Sequence, residues 1–153
     1  MLEFRQAQKG DEQLIYDLIV ELAEYEKMAD AVVTTPEELA VQLFDKENAK
    51  VILPVLDGTV IGYAFYFHNF STWLGKPGLY LEDLYIKPEY RKNGYGKALL
   101  KHLADLAIEE GCGRMEWACL NWNKPSIDFY LSLGADPLNE WKVYRLEGDK
   151  MHV

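Results

Sequence analysis

The sequence predicts a single α/β domain, spanning residues 1–153, with a mixed central β-sheet flanked by helices. Segments of strand-like alternation are interleaved with segments whose apolar residues recur at helical spacing. The chain has 153 residues, 49% of them hydrophobic, which suffices for one buried core. No repeat and no linker rich in Pro, Gly or Ser divides it. The predicted element order is βααβββαβαβ.

The first third of the chain predicts one strand and two helices. Residues 2–7 alternate apolar with polar side chains and indicate a strand. Asp11 follows as a candidate helix cap, because Leu and Ile residues recur at helical spacing over residues 14–22. Thr35-Pro36-Glu37-Glu38 is a capping box with proline at the first helical position. A second helix is therefore expected to run to about Phe44.

Three strands follow in the middle of the chain. Residues 51–56 and 59–70 are rich in β-branched and aromatic side chains, and Asp57-Gly58 between them is typical of a tight hairpin turn. Residues 78–86 predict the next strand.

The last part of the chain predicts a helix, a strand, a short helix and a closing strand. The long helix covers residues 94–110, and Gly111 is its expected C-terminal cap. A strand over residues 114–120 and a helix over residues 126–133 come next. Because helices flank that strand, its pairing is expected to be parallel. Residues 141–146 predict the closing strand.

Charge and composition narrow the possible partners. The chain has 25 acidic and 16 basic residues, a formal net charge of −9, which argues against a nucleic-acid partner. An acidic cleft would attract a cationic small molecule, and solubility alone is the simpler reading of the same charge. No signal pattern and no apolar run long enough to cross a bilayer is present, so no membrane partner is expected.

The cysteines and histidines predict neither a disulfide framework nor a metal site. Cys112 and Cys119 do not form a CxxC pair, and two thiols favour a reducing, cytoplasmic location. His68, His102 and His152 have no metal-ligand spacing. Both cysteines are expected to be structural thiols.

The most informative segment connects the strand ending at Ile86 to the helix beginning at Gly94. Gly94 and Gly96 permit unusual backbone dihedral angles and close approach of a ligand. The first amides of a helix lack partners inside it and favour an anion, so a pyrophosphate suits this position. Arg91 and Lys92 add positive charge. The segment fits neither the Walker pattern nor the Rossmann pattern, and glycines that only shape a loop are the alternative.

The spacing Arg91-x-x-Gly94-x-Gly96, between a strand and an amphipathic helix, resembles the acyl-coenzyme A motif of the GNAT N-acetyltransferase superfamily. Further segments are similar to the diamine (spermidine/spermine) and thialysine N-acetyltransferases: residues 21–26, 73–76, 80–83 and 122–130. The resemblance implies the GNAT acyl-CoA N-acyltransferase fold, acetyl-CoA as cosubstrate, a small amine substrate and a homodimer.

The same resemblance implies a set of coenzyme contacts. It places the pyrophosphate on the loop and helix start, and the acetyl carbonyl and pantetheine on main-chain groups of the preceding strand. The implied residues are Leu84, Tyr85, Ile86, Arg91, Lys92, Asn93, Gly94, Tyr95, Gly96, Lys97, Asn123 and Ser126. For Asn123 and Ser126, helix capping is an alternative that is compatible with coenzyme contact.

Two residues are implied in catalysis. Glu82 matches a glutamate that helps to remove the proton of the substrate amine, and an ordinary exposed strand carboxylate is the alternative. Tyr130 matches a tyrosine that protonates the coenzyme thiolate, and a core aromatic beside Phe129 is the alternative. Strand alternation sends Asp83 to the face opposite Glu82, unless a β-bulge intervenes, and the resemblance implies a bulge near here.

The implied substrate contacts are acidic and aromatic. Tyr25 and Glu26 at the end of the first helix, Glu82 on the strand, and Glu140 near the C-terminus match positions near the amine. A solvated charge at the helix end is the alternative for Glu26.

Together these features predict an acetyl-CoA-dependent N-acetyltransferase that acts on a primary amine of a small cationic substrate by direct attack in a ternary complex. Lys92 and Asn93 stand where small or apolar residues are common in the diamine enzymes, so a thialysine-like amino acid and a polyamine both stay open. Two alternatives are a GNAT enzyme that acetylates a protein N-terminus or lysine, and a non-catalytic coenzyme-binding sensor.

Overall fold

The computed structural model describes residues 1–153 as two compact units, residues 1–118 and residues 119–153. The first unit contains β1 (Leu2–Gln6), α1 (Glu12–Tyr25), α2 (Pro36–Ala40), β2 (Lys50–Leu56), β3 (Thr59–Val60), β4 (Gly62–Ser71), β5 (Lys76–Ile86), α3 (Tyr95–Glu109) and β6 (Arg114–Trp117). A π-helical turn, Val41–Asp45, prolongs α2, and short 3-10 helices cover Ala29–Ala31 and Pro88–Tyr90. The second unit contains α4 (Lys124–Ser132) and a 3-10 helix, Gly148–Met151.

The sheet of the first unit is mixed, as predicted. Its strand order is β1-β2-β4-β5-β6, and β3 pairs only with β2. All neighbouring strands are antiparallel except β5 and β6, which are parallel. Parallel neighbours need a crossover connection, and α3 supplies it. The parallel pairing predicted for the strand that begins at Arg114 is confirmed.

A hydrophobic cluster joins the first two helices to one face of the sheet. Side chains spaced three and four residues apart in α1 pack with apolar residues of α2, its π-helical turn and strands β2, β4 and β5. The buried members are Ile15, Leu18, Leu22, Leu39, Leu43, Val51, Leu53, Tyr63 and Tyr85. This packing fixes the C-terminal end of α1 beside β5.

The start of α1 differs from the expected side-chain cap. Asp11 occupies the N-cap position, but its carboxylate makes no capping hydrogen bond. It instead accepts two hydrogen bonds from Arg5, at 2.8 and 2.9 Å, and this pairing lowers the pKa of Asp11. A cation on the neighbouring strand therefore outcompetes the helix amides for the carboxylate, and it ties β1 to α1.

The helix α3 begins and ends with left-handed glycines. Gly94 is the N-cap residue with φ +80°, and Gly111 follows the helix with φ +77°. At the C-terminal end the Cys112 amide donates to the Ala107 carbonyl at 2.9 Å and the Gly111 amide to the Ile108 carbonyl at 3.1 Å. These two bonds are a Schellman motif, so the C-terminal cap predicted at Gly111 is confirmed.

A β-bulge interrupts the long β4–β5 ladder. Phe65 pairs with Asp83, and the next residue of β4, Tyr66, pairs with Leu81. Glu82 is thus the extra, unpaired residue of β5. Beyond the bulge the alternation of β5 restarts one residue later, so Asp83 lies on the same face as Phe65, Tyr63 and Tyr85. This is the exception that could bring two neighbouring acids to one side of the sheet.

In the second unit the predicted closing strand is wrong. Residues 141–147 form no strand, and the side chains of Trp141, Val143 and Tyr144 are 69%, 92% and 89% exposed. An alternating pattern indicates that the side chains suit a sheet, but a strand forms only where a neighbouring strand can hydrogen-bond to its backbone amides and carbonyls. The short helix was predicted correctly as α4, with Asn123 as its N-cap: the Asn123 side chain accepts from the Ser126 amide at 3.4 Å.

Candidate active site

The loop before α3 has the shape of an anion-binding turn. Lys92 and Gly94 both have positive φ, +67° and +80°, and the Asn93 side-chain amide donates to the carbonyls of Tyr90 and Arg91 at 3.2 and 3.1 Å. The first hydrogen bond of the helix runs from the Ala98 amide to the Gly94 carbonyl at 3.0 Å. The three preceding helix amides have no partner inside the helix, as an anion site requires.

Arg91 is held in place on three sides. Its Nε donates to the Ile86 carbonyl at 2.8 Å. Its guanidinium carbon lies 5.1 Å from the ring centre of Tyr25 and 5.4 Å from that of Tyr85, which is within cation–π range. The structure therefore brings together a residue predicted to hold the coenzyme, Arg91, and one predicted to contact the substrate, Tyr25.

Tyr85 contributes to this site through its surroundings and not as a proton donor. Its ring is buried in the core cluster, and its hydroxyl donates to the Glu21 carboxylate at 3.0 Å. Burial and this carboxylate raise the pKa of Tyr85 to about 12. Lys87 lies 3.6 Å from the other oxygen of Glu21. With its side chain so engaged, Tyr85 has only its main chain to offer a coenzyme, in keeping with the predicted main-chain role.

Three carboxylates form an acidic cluster at the bulge: Glu26, Glu82 and Asp83. Burial raises the pKa of Asp83 to about 6, and the charges of Glu82 and Glu26 contribute to the rise. Burial also raises the pKa of Glu26. Glu82 is exposed, whereas the other two are half-buried. Two of the predicted acidic residues, Glu26 and Glu82, thus influence the same half-buried carboxyl group, that of Asp83.

Asp83 and its partner Tyr63 are additions that the sequence did not predict for this site. The fully buried Tyr63 hydroxyl donates to Asp83 at 2.9 Å, and burial together with Asp83 raises the pKa of Tyr63. The only sequence signal was the adjacent pair Glu82-Asp83, which is informative once a bulge is assumed. Nothing in the sequence indicated Tyr63, because it lies 20 residues from Asp83 and belongs to a segment that is otherwise mostly apolar.

The remaining predicted residues belong to the second unit. Asn123 is buried and caps α4, which is the alternative noted for it and leaves the coenzyme role a prediction. Tyr130 and Phe129 are both half-buried, with ring centres 5.5 Å apart. Glu140 is exposed in a loop. The roles predicted for Tyr130, Ser126 and Glu140 stay predictions.

Other titratable groups separate into packing residues and one cluster. His102 stacks on Phe4 with ring centres 4.5 Å apart. Burial and Glu110 raise the pKa of the Cys112 thiol, which disfavours a nucleophilic thiolate. His68, Glu110 and Cys112 nevertheless offer ligand atoms within 4.8 Å of one another, a grouping that the sequence spacing did not predict. None of the helices combines the length and the hydropathy that a membrane-spanning helix requires.

Comparisons with known proteins agree with this geometry. Residues 15–135 match the model of the acetyltransferase (GNAT) family. The chain is 39% identical to thialysine N-epsilon-acetyltransferase of Bos taurus, over 96% of this chain and 93% of the relative. It is 33% identical to spermidine/spermine N(1)-acetyltransferase-like protein 1 of Homo sapiens, over 97% of this chain and 23% of the relative.

A solved structure has a similar fold. An integron cassette protein from the mobile metagenome of V. cholerae superposes with a TM-score of 0.78 at 30% identity, covering 99% of this chain and 95% of that one. The matches span the α3 loop, the acidic cluster and α4. The fold, the Arg91-x-x-Gly94-x-Gly96 loop and these relatives together show that the chain belongs to the GNAT family of acetyltransferases and is an N-acetyltransferase.

Proposed function

We propose that the enzyme transfers an acetyl group from acetyl-CoA to a primary amine of a small cationic substrate. The observation that carries the proposal is the connection between the anion-binding loop and the acidic cluster. The guanidinium of Arg91 in the loop lies on the ring of Tyr25. Glu26, which follows Tyr25 in the chain, contributes through its charge to the raised pKa of Asp83. A polyanionic cosubstrate and a cationic acceptor would therefore meet on neighbouring parts of one surface.

The coenzyme would be held by charge and by main-chain donors. The pyrophosphate would accept hydrogen bonds from the amides of Tyr95, Gly96 and Lys97, with Arg91 and the neighbouring loop residues Lys92, Asn93 and Gly94 framing it. Main-chain groups of Leu84, Tyr85 and Ile86 would meet the pantetheine and the acetyl carbonyl. Asn123 and Ser126 are proposed as further coenzyme contacts.

The acidic cluster supports a cationic acceptor. Glu26, Glu82 and Asp83 concentrate negative charge, and the charges of Glu82 and Glu26 disfavour ionisation of Asp83. An ammonium group entering the cluster relieves that repulsion, whereas a neutral or anionic acceptor does not. Tyr25 and Glu140 are proposed to complete the substrate contacts. One relative is named for the acetylation of thialysine and another for its likeness to spermidine/spermine acetyltransferase, and both named substrates are cationic amines, which supports a lysine-like or polyamine acceptor.

The chemistry needs one proton acceptor and one proton donor. An alkylammonium has a pKa of about 10, so Glu82, directly or through water, would take a proton from it before attack. The neutral nitrogen then adds to the thioester carbonyl, and main-chain donors stabilise the oxyanion. As the C–S bond breaks, the Tyr130 hydroxyl would protonate the departing thiolate, and the second proton lost by the attacking nitrogen would return to the Tyr130 phenolate, directly or through water. No acyl-enzyme is required, so the transfer is direct within a ternary complex.

We further propose a homodimer in the cytoplasm. The exposed apolar side chains of Trp141, Val143 and Tyr144 suit a strand that pairs only across a subunit interface. Two free thiols fit a reducing compartment. Light scattering tests the dimer, and Trp141→Ser should shift it toward monomer.

The test of the proposed function is a thiol-release assay with acetyl-CoA. The acceptors would be thialysine, lysine, spermidine, spermine, putrescine, an aminoglycoside and a peptide with a free N-terminus. Turnover of the first five above the peptide supports the proposal, and a preference for the peptide would favour a protein substrate.

Two variants separate an enzyme from a coenzyme-binding sensor. Tyr130→Phe should lose most turnover and retain coenzyme binding, with Tyr16→Phe, a half-buried tyrosine of α1, as its matched control. Tyr130→Phe with wild-type activity would remove this residue from the mechanism. If the wild-type chain binds acetyl-CoA and acetylates no acceptor, the sensor reading is correct.

A further inference from the structure

A cluster of three different ligand types lies at the C-terminal end of α3, outside the residues assigned to acetyl transfer. It consists of His68 on β4 and of Glu110 and Cys112, which follow α3. The His68 Nε2 lies 2.9 Å from the Glu110 Oε1, and all three ligand atoms, including the Cys112 Sγ, lie within 4.8 Å of one another. We propose that this cluster binds a divalent transition-metal ion of the zinc class.

The donor set matches that ion class. Zinc takes imidazole nitrogen, thiolate sulfur and carboxylate oxygen, usually in a tetrahedron. In such a tetrahedron the donor atoms are separated by roughly 3.3–3.7 Å, given metal–ligand distances of about 2.0–2.3 Å. The His68–Glu110 distance of 2.9 Å lies below this range and the 4.8 Å limit on the other pairs lies above it, so side-chain rotations would bring the three donors to these separations. Hard cations such as Mg²⁺ prefer oxygen donors only, and the thiol and imidazole select against them.

The backbone holds two of the three donors in advance. Glu110 is the C-cap residue that follows α3, left-handed Gly111 turns the chain, and Cys112 comes next. The Schellman hydrogen bonds of Gly111 and Cys112 fix this turn. The following residue, Gly113, donates its amide to the Pro77 carbonyl of β5 at 2.9 Å, which anchors the turn to the sheet. Little conformational entropy would then be lost on binding.

The third donor comes from the sheet beneath. His68 is in register with Leu79 of β5, and the ring of Tyr66 meets its imidazole edge-on at 6.2 Å. The side chains of His68 and Glu110 are about one-third exposed, at 34% and 33%, so an ion can enter and water can supply the fourth ligand. An ordinary ion pair would explain why His68 and Glu110 lie close together, but it would not explain why the Cys112 thiol lies beside them.

The site is remote from the proposed acetyl-transfer chemistry. The loop at Gly94 precedes α3 and the cluster follows it, and a helix of 15 residues is about 22 Å long. A metal here would join the end of α3 to β4. Its expected effect is therefore on stability and not on the chemical step.

Titration with Co²⁺ and Zn²⁺ tests the proposal on the full-length, chelator-treated and reduced protein. Co²⁺ should bind one per chain and give a thiolate-to-metal charge-transfer absorption that Zn²⁺ then abolishes. Cys112→Ser should lose that absorption, and His68→Gln and Glu110→Gln should each weaken binding by at least about tenfold. Cys119→Ser and His152→Gln are matched controls that should behave as the wild type.

Thermal unfolding supplies a second readout. Zn²⁺ should raise the unfolding temperature of the wild type and of Cys119→Ser, but not of Cys112→Ser. Circular dichroism checks that each variant is folded. Absence of stoichiometric binding to the wild type overturns the proposal, and so does charge-transfer absorption that follows Cys119. Neither measurement involves acetyl-CoA, so the result is independent of the proposed function.

Discussion

The anion-binding loop and the acidic cluster are neighbours, but local hydrogen bonds stabilise the loop, whereas the cluster holds carboxylates whose charge is disfavoured. The loop between Arg91 and Gly94 is shaped by hydrogen bonds among residues two to five apart, and its cations keep access to water. The cluster draws Glu26 and Asp83 into half-buried positions that disfavour their charge. The loop is thus ready for its ligand at little cost, whereas the cluster holds repulsion that a cation relieves.

The largest expected effect comes from the cluster. Glu82→Gln keeps the size of the side chain but removes its basicity, and general-base catalysis contributes typically 10²–10⁴-fold. We expect kcat with a lysine-like acceptor to fall by about 10²-fold or more. The fall should be greatest at low pH, where more of the amine is protonated. A pH profile of kcat/KM measures it.

The control for that experiment is Glu3→Gln, an exposed glutamate on β1 at the far edge of the sheet. It should retain wild-type rates at every pH. A small, uniform loss in Glu82→Gln across the whole pH range would show that Glu82 is not the base.

The next effect tests the loop. Arg91→Ala removes a cation that the Ile86 carbonyl and two aromatic rings hold in one orientation. A hydrogen bond to a charged group contributes about 1.5–3 kcal/mol, so coenzyme A affinity should drop by roughly 10- to 100-fold. Calorimetry measures it. Arg145→Ala, an exposed arginine of the second unit, should bind as the wild type, and equal losses in both variants would contradict a specific role.

Features of the loop and of the acidic cluster could be predicted from the sequence where short-range patterns determine them. The left-handed Gly94 and Gly111, the Asn123 cap and the parallel strand after α3 follow from short-range patterns, and the structure has them all. The acidic cluster depends on a bulge at Glu82, which no local signal positions. Strand alternation alone would have separated Glu82 from Asp83.

Competition between partners explains what the sequence did not predict. The Asp11 carboxylate pairs with Arg5 instead of capping α1, because a cation lies within reach on the neighbouring strand. Tyr63 of β4 donates to Asp83 of the adjacent strand β5, 20 residues away in sequence. The segment at residues 141–147 has strand-like side chains and no strand structure. In the first two cases the deciding atom belongs to a residue on another element, and in the third the segment has no neighbouring strand in the sheet.

A third effect measures the energy held in the cluster. The pKa of Asp83 is about 6 when folded against 3.8 for an ordinary aspartate, so folding favours its protonated form. The stabilisation that comes from protonated Asp83 is fully present below pH 4 and is lost as the pH rises through 6. The loss in the free energy of unfolding is up to roughly 3 kcal/mol. Asp83→Asn is neutral throughout and still accepts from Tyr63, so it should be more stable than the wild type by about 1–3 kcal/mol at pH 8.

Denaturant unfolding at pH 8 and pH 4 measures this effect, and the gain should shrink toward zero at pH 4. Asp30→Asn, on an exposed 3-10 helix, should show no such pH dependence. A destabilised Asp83→Asn at pH 8 would mean that the carboxylate is well solvated or paired, and the cluster would then hold no repulsion for a substrate to relieve.

The smallest effect returns to the loop and asks whether it is as unstrained as its hydrogen bonds suggest. Gly94 has φ +80°, and no atom lies within 4 Å of where a Cβ would stand. Gly94→Ala should therefore cost only the left-handed backbone penalty, about 1–2 kcal/mol of unfolding free energy. Because the loop would relax away from the left-handed region to avoid that penalty, coenzyme affinity should fall as well.

Gly96→Ala is the matched control. The φ of Gly96 is not positive, and an added Cβ would meet only the Ile86 side chain at an ordinary 3.9 Å, so stability should hardly change. Equal destabilisation of both variants, measured by denaturant unfolding, would show that the loop is strained throughout and that its contrast with the acidic cluster is wrong.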